Sequence, residues 1–384
     1  MTSLPRAESR GAAIYVHWAF CPYICPYCDF AKWPFDERAA ERYVSALEAE
    51  IARAPELAAT TVFYGGGTPN ANSALQLVRV LDLVRERFGV RAGAEISIEV
   101  NPDRELTGTF DQLHRSGFNR MSIGAQSFEA PELRVLGRRH SAADVVETVR
   151  RARAAGFGNV NVDLMFGVPG QTLESWERSL DAVLALGIEH ISTYGLTIEE
   201  GTPYAGWQAR EPAAFADEDR EAQMYALAIA KLTAAGFEHY EISNFAKPSF
   251  RCEHNANYWR NGAYLGAGAG AASYLGGVRS THTRDRAAYE AAALAGDAIP
   301  GDSEELSGDA RTGEAVMLAL RTSEGVDAGT FRERYGVDVF THYAPIIADY
   351  AAAGLLVTDE RSVRLTTRGR FVANDVCGAF LARA

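Results

Sequence analysis

Apolar runs of strand length recur through the first half of the chain at residues 14–18, 61–64, 95–100, 119–124, 159–164 and 190–196. Between them lie stretches whose apolar positions return at helical spacing: 36–54, 73–88, 141–155 and 173–186, the last two closed by Gly156 and Gly187. Repeated strand–helix units with six strands predict an α/β fold, a parallel sheet curled into a partial (β/α)6 barrel. Chemistry in such barrels gathers at the carboxyl ends of the strands. Every unusual motif in this half falls at such an end.

Beyond Gly201 the pattern changes. Residues 217–235 read as one long helix and 239–245 as a strand. Residues 251–273 are rich in Gly, Asn and aromatics, and 297–309 read as a Gly/Pro/Ser/acid linker. Residues 311–384 read as helices with a strand pair, 354–358 and 362–366, which resembles a winged helix. The expected division is a barrel over 1–210, an α+β extension over 211–300 and a small helical module over 301–384.

Composition narrows the classes. The chain of 384 residues has a net charge of -12, which disfavours general nucleic-acid or anionic-membrane binding. No apolar run reaches membrane-spanning length. Five cysteines, three of them in one loop, do not make a disulfide framework. The first eleven residues lack the apolar segment of a signal peptide. The expectation is a cytoplasmic protein.

The three cysteines are Cys21, Cys25 and Cys28. Their spacing would form a stripe on a helix, but Pro22 and Pro26 argue for a loop. Three thiols on a loop can converge on an iron–sulfur cluster or on zinc, the latter with His17 as a fourth ligand. A four-iron cube held by three thiolates leaves one iron open. Tyr23, Tyr27, Phe30 and Trp33 are expected to shield it from water.

Gly65-Gly66-Gly67-Thr68-Pro69 ends the second strand, where it is either a tight turn or a place where a ligand touches backbone. No Lys follows, so it is not a phosphate loop. Glu99, Gln126, Arg138 and Asp163 lie at or just beyond later strand ends, and each alone is as compatible with a structural role. The run from Leu265 to Ala271 is not a dinucleotide fingerprint, since no clear strand precedes it.

Taken together these motifs resemble the radical S-adenosylmethionine (SAM) superfamily. Within it the chain resembles the family of oxygen-independent coproporphyrinogen III oxidase and its relatives, over nearly its whole length. The carrying residues are Tyr15-Val16-His17 before the cysteine loop, the Gly-Gly-Gly-Thr-Pro run, Ile98-Glu99-Val100-Asn101-Pro102, Gly124-Ala125-Gln126-Ser127-Phe128, and Val162–Gly170. The resemblance implies a [4Fe–4S] cluster on Cys21, Cys25 and Cys28. It implies SAM contacts at Tyr15, Gly66, Gly67, Thr68, Glu99, Gln126, Arg138 and Asp163, with Tyr27 near the adenine.

Two features depart from the oxidase. Phe30 stands where the oxidase has a further cysteine, and only about a dozen residues precede the first strand. Both match the heme-chaperone relatives, as does His254-Asn255-Ala256-Asn257-Tyr258-Trp259. An imidazole can ligate heme iron and aromatics can stack on the macrocycle, but a hydrogen-bonded corner explains the same residues. The resemblance implies heme contact at His254, Asn255, Tyr258 and Trp259, on a surface apart from the barrel mouth. Cys252 reads as a second iron ligand or a buried small hydrophobe, and Cys377 as the latter. The implied function is a heme chaperone serving acceptor hemoproteins, respiratory ones included. The alternatives are a radical oxidase acting on coproporphyrinogen III and a zinc-bearing interaction protein.

Overall fold

A computed structural model describes residues 11–381. Six parallel strands form its centre: β1 (Ala12–Trp18), β4 (Ala59–Gly66), β5 (Glu95–Val100), β6 (Arg120–Gln126), β7 (Asn159–Phe166) and β8 (His190–Gly195), adjacent in that order. Two-residue strands β2 (Phe20–Cys21) and β3 (Trp33–Pro34) pair with each other and clasp the cysteine loop. The crossovers carry α1 (Glu37–Arg53), α2 (Ala74–Phe88), α3 (Phe110–Arg115), α4 (Ala130–Val135), α5 (Ala142–Ala155) and α6 (Leu173–Ala185). Local sequence fixes their ends. Ser73 with Gln76 and Ser141 with Asp144 form reciprocal capping boxes, and Gly89 and Gly156 close those helices in the left-handed conformation.

The strands alternate, with the polar set facing inward. Ile14, Val16 and Trp18, Val62 and Tyr64, Ile96 and Ile98, Met121 and Ile123, and Val160 and Val162 enter one apolar core with the helices. The residues between them (Tyr15, Phe63, Glu99, Arg120, Ser122, Asn161, Asp163, Ser192) line a central lumen. Register aligns Glu99 with Ser122, Ser122 with Asn161, and Asn161 with His190. Asn161 Nδ2 donates to Ser122 Oγ (2.6 Å) and Ser192 Oγ (3.0 Å), and His190 Nδ1 meets Asn161 Oδ1 at 2.7 Å. Satisfied pairs of this kind are what make polar groups tolerable inside a barrel.

The second half extends this sheet at both edges. After α7 (Pro203–Arg210) and α8 (Glu218–Ala234), β9 (Glu238–His239) and β10 (Asn244–Ala246) form an antiparallel pair beside β8. The single strand expected over 239–245 is therefore split by a turn. The Gly- and aromatic-rich segment without assigned elements contains α9 (Glu253–Trp259) and β11 (Tyr264–Ala267), which pairs in parallel with β1. β11 forms the first part of the Gly–Ala run itself, and the residues just ahead of it, 260–263, are turn and coil; its four residues are too short to show a period. β12 (Ala272–Leu275) and β13 (Val278–His282) follow, then α10 (Arg286–Ala295) and β14 (Gly301–Glu305). The expected linker is in part this strand, whose residues are all exposed at the sheet edge, so it carries no apolar alternation.

A second core runs from Ala315 on α11 (Gly308–Leu320) to Phe380. It includes β15 (Val326–Asp327), α12 (Ala328–Tyr335), α13 (Val339–His342), α14 (Ala344–Ala352), β16 (Leu356–Thr358), β17 (Ser362–Leu365), α15 (Thr367–Phe371) and α16 (Ala373–Gly378). The expected strand pair is β16 and β17, joined by β15 in a three-stranded sheet. No helix among the described residues is long and apolar enough to cross a membrane.

Candidate functional site

The lumen is a cavity of about 650 Å³ that opens at the carboxyl ends of the strands. Cys21, Cys25 and Cys28, all free thiols, face it from the loop after β1. The glycine run holds that loop. Gly67 N donates to Trp18 O (2.7 Å) and Thr68 N to Phe20 O (2.8 Å). A Cβ on Gly67 would lie 2.8 Å from both carbonyls and 3.0 Å from Cys21 Sγ. Gly66, at φ +109°, would place one 2.5 Å from the His17 ring. The glycines therefore let two loops touch as well as leaving backbone open to a ligand.

Around this cradle stand polar groups of contrasting character. Glu99 accepts from Gly66 N at 3.1 Å. Burial, and then the charge of Asp163, push its carboxyl up to about 8. Burial likewise raises Asp163, against hydrogen bonds from Ser192, Asn161 and Ser122. Arg138 donates to Asn101 Oδ1 (2.8 Å) and Gly124 O (2.7 Å), and its Nη1 stands 3.7 Å from Cys25 Sγ. Gln126 ends β6 at φ +68°, an uncommon conformation for a residue with a side chain, and accepts from Tyr194 OH at 2.9 Å. Burial pushes the Cys21 thiol up to about 11. Ligation by that sulfur releases a proton.

Several expectations need correction. His17 uses both ring nitrogens: Nε2 donates to Ala31 O (2.7 Å) and Nδ1 accepts from Tyr15 OH (3.1 Å). It is not free to be a fourth zinc ligand. Phe30 is 64% exposed at the cavity rim, and Trp33 packs on the barrel core instead of the cysteine loop, so neither shields the thiols. The segment His254–Trp259 is not a separate surface. It is helix α9, and His254, Asn255 and Tyr258 line the same lumen as the cysteines. His254 is 1% exposed, with Nδ1 against Thr61 Oγ1 (2.8 Å) and Nε2 against Tyr258 OH (2.9 Å). Burial holds its pKa near 3, so the ring is neutral. Trp259 lies outside the cavity, under the guanidinium of Arg321 at 5.3 Å. Cys252 is fully buried, donates to Glu95 Oε1 (3.4 Å) and does not reach the lumen.

The lumen also gathers residues that the motifs did not flag: Arg120, Ser122, Asn161, Ser192 and Tyr194. Their signal was the polar half of each strand's alternation, which here faces a ligand cavity and not bulk water.

A partial parallel barrel with a three-cysteine loop after its first strand and a glycine run after its second is the architecture of the radical SAM class. Residues 15–183 match the radical SAM superfamily, and 306–372 match the HemN C-terminal domain. The chain is similar to the heme chaperone HemW of Bacillus subtilis, with 36% identity over 96% of this chain and 98% of that one. It is also similar to HemW of Lactococcus lactis (33%, 96% of each chain) and of Mycobacterium tuberculosis (36%, 96% and 94%). The chain belongs to the HemW family of radical SAM proteins. Its fold is similar to the structure of coproporphyrinogen III oxidase (HemN) from Escherichia coli, with a TM-score of 0.84 and 27% identity over 97% of this chain and 91% of that one.

Membership in this superfamily implies a [4Fe–4S] cluster and SAM. The donor set fits them. Three thiols face one cavity beside a guanidinium whose buried Nε has no partner. Among the described residues, no three His, Cys, Asp or Glu side chains gather about one ion-sized point, as a single zinc requires. A cluster takes each thiolate on a different iron and does not need that convergence. The superfamily match carries the cluster over the zinc reading.

Proposed function

We propose that this chain is a heme chaperone, which binds heme and passes it to acceptor hemoproteins, respiratory ones among them. The observation that carries the reading is the placement of α9, whose His254, Asn255 and Tyr258 form a wall of the lumen into which Cys21, Cys25 and Cys28 face. In this reading the three cysteines hold the cluster. Tyr15, Gly66, Gly67, Thr68, Glu99, Gln126, Arg138 and Asp163 hold SAM, with Tyr27 near its adenine. A cluster on Cys21, Cys25 and Cys28 would supply one-electron chemistry toward SAM, and in the chaperone reading cluster and SAM would serve regulation, oligomerisation or transfer.

Volume constrains the arrangement. A cavity of about 650 Å³ lies within the ~300–1,000 Å³ typical of a single-ligand pocket. In this reading cluster and SAM take up most of that space. Heme then keeps part of its edge outside, which suits a ligand destined for transfer. Exposed Phe30 at the rim offers an aromatic face there. Axial ligation by His254 would need release of its bond to Thr61 or to Tyr258. The reading therefore gives His254 the task of holding α9 in place, and gives heme contact to Asn255 and Tyr258.

The test is anaerobic reconstitution followed by parallel incubation with heme and with coproporphyrinogen III in the presence of SAM and reductant. Stoichiometric heme binding, with transfer to an apo-hemoprotein, is expected. Catalytic accumulation of protoporphyrinogen would replace the chaperone by the oxidase. Tyr258→Ala should weaken heme binding about tenfold, the scale on which one packed aromatic counts.

A further inference from the structure

Arg120 opens β6 at the amino-terminal end of the lumen. It is 2% exposed, yet it lines the cavity. A guanidinium has five N–H donors, and a buried one normally finds acceptors for them. Among the described residues, the Arg120 guanidinium donates no hydrogen bond, and its Nε is buried without a hydrogen-bond partner. Its one ion pair, Nε to Glu95 Oε2, is stretched to 4.0 Å. Glu95 is occupied elsewhere. It accepts from Glu253 N (3.1 Å), His254 N (3.2 Å) and the Cys252 thiol. The oxygens of Asp163 are taken by Asn161 Nδ2 (2.7 Å) and Ser122 Oγ. Glu99 Oε2 accepts from Gly66 N.

A buried guanidinium whose Nε has no hydrogen-bond partner and whose paired carboxylate stands 4.0 Å away, lining a ligand cavity, is a site prepared for a planar anion. We infer that Arg120 is a carboxylate-binding residue at the floor of the lumen, pairing bidentately with a carboxylate of the bound ligand. Two sources supply that group here: a propionate of the tetrapyrrole, or the aminoacyl end of SAM. Depth separates Arg120 from the cysteine loop. From Arg120 to Gln126 the strand rises about 20 Å, at ~3.3 Å per residue. Arg120 therefore lies deeper in the lumen than the strand's carboxyl end, and the two ligand pairs below decide which carboxylate reaches it. Identifying it as a propionate rests on the heme-chaperone reading.

The experiment uses the cluster-loaded full chain and two ligand pairs: heme with its dimethyl ester, and SAM with decarboxylated SAM. Wild type should prefer the free carboxylate in at least one pair by about tenfold or more. Arg120→Gln should abolish that preference, and Arg120→Lys should keep part of it, since charge remains while the fork is lost. A preference lost in the heme pair assigns the propionate, and one lost in the SAM pair assigns the aminoacyl group. A wild type indifferent within both pairs overturns the inference without any variant. If every preference seen in wild type survives Arg120→Gln, the inference is overturned as well. If wild type binds no heme at all, the chaperone reading fails, and the SAM pair alone still decides the role of Arg120.

Discussion

Glu99 is a carboxyl group buried where a strand meets the glycine run, and its pKa near 8 has a consequence for stability. In the folded apo chain it keeps its proton up to about pH 8; unfolded, it loses it near 4.5. Between those values the native state binds more protons than the unfolded one. Stability therefore falls as pH rises through that window, by at most about 1.4 kcal/mol per pH unit from this group. Buried histidines such as His190, whose pKa is lowered by burial and then by Arg120, push the other way. Comparing wild type with Glu99→Gln isolates the Glu99 part. Urea midpoints of the cluster-free chain between pH 5 and 8.5 should decline less steeply in the variant; parallel curves would refute the assignment. Gly66 makes a second test at this scale. Gly66→Ala drives a methyl into the His17 ring at a φ that side chains avoid, at a cost of about 1–3 kcal/mol. Iron and sulfide per chain should drop while far-ultraviolet circular dichroism holds.

Among the elements, α9 shows how a short helix is held by contacts with its neighbours. Seven residues are too few to be stable alone. Its first two N–H groups are fixed by Glu95 across the barrel floor, and His254 and Tyr258 bridge it to Thr61 on β4. Glu95→Gln weakens charge-assisted bonds worth about 1.5–3 kcal/mol each, so chemical denaturation should show a loss of up to that size. Heme affinity should fall with it, because Asn255 and Tyr258 ride on the helix. Unchanged affinity would separate heme from α9. The contrast with the barrel explains what could be read in advance. Strands of six to eight residues and helices of thirteen to seventeen show their periods plainly. Strand β14, wholly exposed, and β11, of four residues, show none. The cysteines and the glycine run were legible because their chemistry is local. Arg120 was not, because its meaning depends on which end of the lumen it occupies and on which neighbours are already engaged.

At the scale of the whole molecule, α9 lies between the lumen and the carboxy-terminal core. Trp259 packs under Arg321, Asn261 Nδ2 donates to Tyr335 OH (3.3 Å), and Arg334 Nη2 donates to Asn261 O (2.8 Å). Ile242 N and Ser323 N add backbone bonds across the same junction, at 3.1 and 2.9 Å. Within one six-residue motif, then, Tyr258 faces the ligand cavity and Trp259 faces the other module. The resemblance implies that both aromatics contact the macrocycle; the geometry gives them different duties. Trp259→Ala removes a large ring from the junction and leaves the lumen wall intact, a truncation costing about 3–5 kcal/mol where burial is complete and less at this half-buried position. It should lower the unfolding midpoint of the carboxy-terminal module, read by limited proteolysis and thermal melting, and leave the Soret maximum of bound heme unchanged. Tyr258→Ala should do the reverse, shifting the Soret band with a smaller change in melting. A Soret shift in Trp259→Ala equal to that in Tyr258→Ala would place the macrocycle against both residues, and would move heme from the lumen to the junction.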